Sequence, residues 1–299
     1  MRLKSLLPIT LACLFLAAAS TPATAAQPYI VGVSIPPQAW LVKLVGGEYV
    51  KPLVLLPPGA SPATYDPGPR KLTELGQAKL YLAIGVPFEK VLLPRLKAQL
   101  PGLPVVPMQA GIKLRRLEGH QHDEGKGRKE PLPGHEAGAP DPHVWLGPRQ
   151  MQTMARNTAR ALAKIDPAHA AGYQANLKKV LAELEALDAE LARTLAPLKG
   201  RTVLVYHPAY GYLLSAYGLK QEAVELEGKQ PGPRRLAELI DQAKAEHIKV
   251  IFVQPQFNPA SAATVASAIG GVVVSLDPLA YDYLNNMRSL AAKLAQDLR

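Results

Sequence analysis

From Asp166 to Pro197 the chain reads DPAHAAGYQANLKKVLAELEALDAELARTLAP, and this stretch divides it in two. Leu177, Leu184 and Leu191 recur every seven residues, with Val180 and Leu187 between them. That spacing lays a continuous apolar stripe along an otherwise charged helix. Asp166 suits a cap, Pro167 a first turn and Pro197 a stop. Rising 1.5 Å per residue, such a helix runs about 45 Å, long enough to brace two lobes. The heptads are too few for a coiled-coil seam, so an intramolecular spine is expected.

Short apolar runs flank this helix. Tyr29–Val33, Leu53–Leu56, Leu80–Ile84 and Pro104–Pro107 precede it, and Thr202–Tyr206, Ala223–Leu226, Lys249–Val253 and Val272–Leu276 follow. Helical patterns lie between them. Leu72 and Leu75 follow Pro69, while Leu236, Leu239, Ile240 and Ala243 share a face after Pro233. Asn258, Pro259 and Gly270 stand where an N-cap, a first helical residue and a C-terminal stop belong. Such alternation specifies parallel sheets covered by helices. The expected class is α/β: two similar lobes with mostly parallel four-stranded sheets, joined by one long rigid α-helix. The expected divisions are a signal peptide over 1–25, an N-terminal lobe over 26–165, the linking helix over 166–197 and a C-terminal lobe over 198–299.

The leader assignment follows from charge and length. Arg2 and Lys4 precede an apolar run from Leu6 to Ala19, which is short for a membrane span, and Ala23-Thr24-Ala25 offers a small-x-small cleavage site. Secretion to the periplasm is expected. A lipoprotein anchor at Cys13 is less favoured, because Cys13 lies inside the run rather than after it. Cys13 is the only cysteine, so a processed chain has no disulfide or thiolate, and any metal site must use nitrogen and oxygen donors. The net charge is +10. Its basic residues are scattered and its aromatics few, which with a secretory leader excludes a nucleic-acid partner.

Leu117 to Ala139 is rich in Gly, Glu, Lys and Pro and carries His120, His122 and His135. So little apolar surface cannot offset ordering entropy, and a mobile surface loop is expected. It is either a solvated insertion or a weak collector whose imidazoles hand metal to a main site.

Three other residues draw attention as donors. His143 stands in Asp141-Pro142-His143-Val144-Trp145-Leu146, the segment that closes this loop and leads into a helix. His207 follows the Thr202–Tyr206 run, and Asp277 follows Val272–Leu276. In open α/β sheets, ligands bind outside the carboxyl ends of the strands. Two imidazoles and a carboxylate there suit Zn²⁺, with Mn²⁺ the main competitor. Asp66 and Gln254 rank lower, and His169 and His247 read as ordinary surface histidines.

Six stretches in order resemble the zinc/manganese solute-binding proteins of ABC-type metal importers. They are Val33–Pro37, Pro57–Pro62, Asp141–Leu146, His207–Tyr212, Phe252–Pro255 and Leu276–Leu279. The resemblance implies two lobes joined by a long helix with a metal between them, delivered to an ABC permease in the inner membrane; a monomer is expected. It maps ligand roles onto His143, His207 and Asp277. One position departs: the family carries histidine where this chain has Ala63. A four-ligand zinc site is worth ~10–16 kcal/mol, so one lost ligand costs ~2–4 kcal/mol, or roughly two to three orders of magnitude in affinity. Three explanations stand open: His120, His122 or His135 substitutes, a water completes the shell, or the site has weakened.

The chain is not expected to be an enzyme. The rival is a secreted zinc hydrolase with three ligands and an open position. It lacks support, because no HExxH helix or evident general base accompanies the ligands. A family member with a degraded site that takes another small ligand is the remaining alternative.

Overall fold

A computed structural model describes residues 27–117, 138–225 and 232–298. The expected leader over 1–25 and the histidines His120, His122 and His135 lie outside the described residues.

The first sheet is built from β1 (Tyr29–Val33), α1 (Pro36–Gly46), β2 (Val50–Val54), α2 (Pro69–Leu75), β3 (Leu80–Ala83), α3 (Glu89–Gln99) and β4 (Val105–Pro107). Two long helices follow, α4 (Pro148–Ile165) and α5 (Ala170–Leu195). The second sheet comes from β5 (Thr202–Val205), α6 (Gly211–Ala216), β6 (Lys220–Ala223), α7 (Pro233–Ala245), β7 (Val250–Val253), α8 (Pro259–Ala268) and β8 (Val272–Ser275), and α9 (Tyr283–Asp297) ends the chain.

Both sheets are wholly parallel and share one topology, with strand orders β2-β1-β3-β4 and β6-β5-β7-β8. In each, the first strand sits second, so the order reverses between β1 and β3 and between β5 and β7. Such a reversal leaves a crevice at the carboxyl ends of those strands.

The period-two rule of strands sorts the C-terminal core. Val203 and Val205 of β5, with Val250 and Phe252 of β7, join the large cluster shared with α5. Leu204, Ile251 and Val253 face the other way, into a second cluster with Leu239 of α7 and Val265 of α8. The large cluster also holds Val31 and Leu82 of the first sheet, so one core runs through both halves.

Leu177, Val180, Leu184, Leu187 and Leu191 are all buried on α5. They pack within the chain, against α4, α9 and α1. The helix starts later than the sequence suggests, its 26 residues spanning about 39 Å. Asp166 instead stands before a short 3₁₀ turn over Pro167–His169, without a side-chain capping bond. Its carboxylate accepts from the Tyr173 hydroxyl at 2.5 Å and from His169 Nδ1 at 2.7 Å. His169 also stacks on Tyr49 with ring centroids 3.8 Å apart, so it is a structural histidine rather than an idle surface one.

Candidate metal centre

Sequence neighbours fix His143 and a whole sheet fixes His207. The segment before His143 is held by an antiparallel bridge between Arg116 and Pro140 and by the Asp141 amide, which donates to the Arg115 carbonyl at 2.8 Å. Asp141 then turns the chain: its Oδ1 accepts from the His143 amide at 2.9 Å. His207 lies beyond β5 at the reversal of strand order, facing Gln254 beyond β7. Gln254 Oε1 accepts from the His207 amide at 3.3 Å, and Gln254 Nε2 donates to the His207 carbonyl at 2.8 Å. The side chain ranked as a poor ligand therefore clamps the backbone of a better one.

The two imidazoles meet edge to face, with centroids 5.2 Å apart. His143 Nδ1 lies 2.8 Å from Asp141 Oδ1, and His207 Nδ1 lies 3.0 Å from Glu225 Oε2. A carboxylate only accepts, so each Nδ1 is the donor, and in the neutral ring each Nε2 presents a lone pair. Those Nε2 atoms are 3.3 Å apart. Two nitrogens held 2.0–2.1 Å from a tetrahedral zinc ion stand about 3.3–3.4 Å apart, whereas a right-angled pair stands about 2.9 Å apart. The pair therefore matches one edge of a tetrahedral zinc shell. Burial pushes the His143 ring below its ordinary value of 6.5, only partly offset by Asp141, which favours the neutral form that binds metal.

Beside them lies a cavity of about 20 Å³ lined by Ser61, Pro62, Ala63, Val86 and Pro87 on one side and Gln254, Gln256, Phe257, Pro278 and Leu279 on the other. That is room for one water-sized particle. Phe257 stacks on His207 at 5.1 Å and Trp145 packs on His143 at 5.3 Å, so apolar rings shield the imidazoles. Ala63, the position of the expected histidine, faces this cavity.

Asp277 is less committed. Its Oδ1 accepts from Gln256 Nε2 at 3.0 Å and from the Leu279 amide at 2.9 Å. The next residues, Pro278 and Leu279, line the cavity. Among the described residues, no three His, Cys, Asp or Glu side chains converge closely enough to hold a metal ion. The fold thus brings the two histidines together, while Asp277 precedes the cavity-lining Pro278 and does not itself line the cavity. Asp66 pairs with Arg95 at 3.0 Å, and its side chain is 66% exposed. It does not line the cavity. His247 sits at the end of α7 with φ 56° and lines a separate surface cleft with Glu246 and Lys249.

Sequence reasoning missed the bonds of Asp141 and Glu225 to the imidazoles. The Asp-x-His spacing could have found the first. A carboxylate at the end of the Ala223–Leu226 run was the only signal for the second.

The family model ZnuA, described as zinc-uptake complex component A, periplasmic, matches residues 31–297. The high-affinity zinc uptake system protein ZnuA of Paracoccus denitrificans is 30% identical over 272 residues, covering 84% of this chain and 83% of that protein. A crystal structure of a 138–173 deletion mutant of ZnuA with zinc bound superposes with TM-score 0.80 at 36% identity, covering 90% of this chain and 98% of that one. FpvC of Pseudomonas aeruginosa in complex with Mn²⁺ superposes with TM-score 0.75 at 26% identity, covering 90% and 98%.

Proposed function

We propose, for a chain that belongs to the ZnuA family of periplasmic zinc-uptake components, that His143 and His207 supply two donors to a captured zinc ion and Asp277 a third. The chain captures a divalent metal outside the cytoplasm and delivers it to an ABC-type permease. Zinc is the favoured cargo and Mn²⁺ the lesser one. One observation carries this: the Nε2 atoms stand 3.3 Å apart, the edge length of a tetrahedral zinc shell at about 2.0–2.1 Å per bond.

Asp277 reaches the ion by a side-chain turn away from Gln256, which its position next to the cavity-lining Pro278 supports. Ala63 leaves the family's histidine place to another donor. The described ends of the 117–139 segment pair with each other, the Leu117 amide donating to the Ala139 carbonyl, and lead directly into Asp141. His120, His122 and His135 are therefore the substitutes of first choice, with a water in the cavity as the second. The lobes are assigned to residues 26–165 and 198–299 with 166–197 between them, and a leader over 1–25 carries the chain to the periplasm as a monomer. A carrier fits better than a hydrolase, because the carboxylates nearest the imidazoles, Asp141 and Glu225, engage Nδ1 atoms and do not line the cavity.

Calorimetric titration with Zn²⁺ and Mn²⁺, with and without residues 117–139, tests this. One zinc per chain, bound more tightly than manganese, is expected. Silence with both ions would overturn it, and zinc-dependent turnover of generic ester, peptide or phosphate substrates would return the hydrolase.

A further inference from the structure

We infer that Asp141 and Glu225 are positioning residues that aim the two imidazoles at the captured ion, an inference that rests on the zinc-capture reading above. Asp141 is 2% exposed and Glu225 is 2% exposed, and a buried carboxylate needs partners to stay. Glu89 shows what a purely structural one looks like in this fold. It is also 2% exposed, and it accepts from the backbone amides of Ile84 and Gly85 and from the hydroxyls of Ser34 and Tyr81. Both of its oxygens are used to tie α3 to the ends of β1 and β3.

Glu225 differs. Its Oε2 meets His207 Nδ1 at 3.0 Å, while its Oε1 is buried and finds no hydrogen-bond partner among the described residues. A residue kept only to hold β6 in place would have its second oxygen satisfied. The whole side chain is instead committed to one imidazole, reached from a neighbouring strand 18 residues along the chain. Asp141 is equally placed for its ring, bonding both the amide and the Nδ1 of His143. The neighbourhood is shaped to admit it: a Cβ added at Gly211 would stand 3.0 Å from Asp141 Oδ2.

The consequence is orientation. Each carboxylate fixes the Nδ1–H tautomer and the plane of its ring, so that both Nε2 lone pairs face the same point before any ion arrives. Rings held in this way lose little freedom on binding, and the hydrogen bond makes each nitrogen a stronger donor. Without them, a ring that flips or changes tautomer presents N–H to the cation.

The test compares wild type with Glu225→Gln, Asp141→Asn and Gly211→Ala, reading zinc affinity by competition with a chromophoric chelator. Long-range ¹H–¹⁵N spectra of the histidines report the tautomers, and melting of the metal-free proteins reports folding. Each carboxylate substitution is expected to weaken zinc about 10–100-fold, to shift or remove the Nδ1–H signal of its own histidine only, and to leave the metal-free fold intact. Gly211→Ala, which keeps both carboxylates, is expected to weaken zinc less and to perturb His143 alone. Variants that bind within threefold of wild type with unchanged tautomers would overturn the positioning role while zinc capture stands. A wild type that ignores zinc would overturn both. Variants weakened only in proportion to lost folding, with both tautomers unchanged, would also reject positioning.

Discussion

The indole Nε1 of Trp145 donates to the carbonyl of Pro278 at 2.8 Å, deep inside the molecule. Trp145 stands two residues after His143, and Pro278 directly follows Asp277. The bond therefore stitches the loop carrying one candidate ligand to the loop carrying another, at the edge of the cavity that both Trp145 and Pro278 line. Tyr210 adds a second stitch, its hydroxyl donating to the Leu276 carbonyl at 2.7 Å. Both rings are 1% exposed, so neither bond competes with water.

Trp145→Phe keeps most of the packing and removes the donor, leaving the Pro278 carbonyl buried and unpaired. That costs about 1–3 kcal/mol, read as a lower urea midpoint. Zinc affinity should fall as well, since Asp277 loses its register against His143. An unchanged midpoint would show that water replaces the indole.

His207→Ala removes one of the two nitrogens at the 3.3 Å edge. A ligand at a hundred times its dissociation constant stabilises a fold by about 2.7 kcal/mol. Most of that zinc-dependent rise in melting temperature should vanish in the variant. A full rise would mean that His207 is no ligand.

Ala63→His adds an imidazole to the wall of the cavity. Recovery of one ligand at ~2–4 kcal/mol should tighten zinc by roughly two orders of magnitude. If affinity stays flat, another donor already occupies that place, and deleting residues 117–139 shows whether a loop histidine is that donor.

Asp166 supplies the pH dependence. Burial pushes its carboxyl up, but the bonds from Tyr173 and His169 outweigh this and hold it below the ordinary 3.8. A depressed folded value means the unfolded chain takes up the proton first. The contribution is therefore complete above pH 3.8 and lost as pH falls through the lower folded value. The stability gap between wild type and Asp166→Asn should be open at pH 6 and close toward pH 2.5. A gap independent of pH would place the effect in packing.

Leu184→Ala tests the spine. Leu184 is 0% exposed within the core shared by both halves, so truncation should cost about 2–5 kcal/mol in a single cooperative transition. Two separate transitions would mean that the halves unfold independently.

Much of the architecture was legible because it depends on local period. The strand-like runs recur as β1 to β8 within a few residues, and the heptad stripe from Leu177 to Leu191 is the buried face of α5. The largest shift is at the second strand of the C-terminal half, expected at Ala223–Leu226 and found at Lys220–Ala223. There an edge strand with a polar start gave hydrophobicity little to mark. The start of α5 was misplaced because Asp166 has a cap's chemistry but uses it on Tyr173 and His169.

By itself, the order of residues determined the alternation of strands and helices, the dividing helix and the strand-end positions of His207 and Asp277. These follow from side-chain periodicity and backbone preference, which act over a few neighbours. Only the tertiary structure decided that Nε2 of His143 and Nε2 of His207 face each other at 3.3 Å, that Glu225 supports one ring and that Gln254 clamps its backbone. Those contacts join residues 18 to 64 positions apart. Strand order and packing set such distances, and no local pattern encodes them.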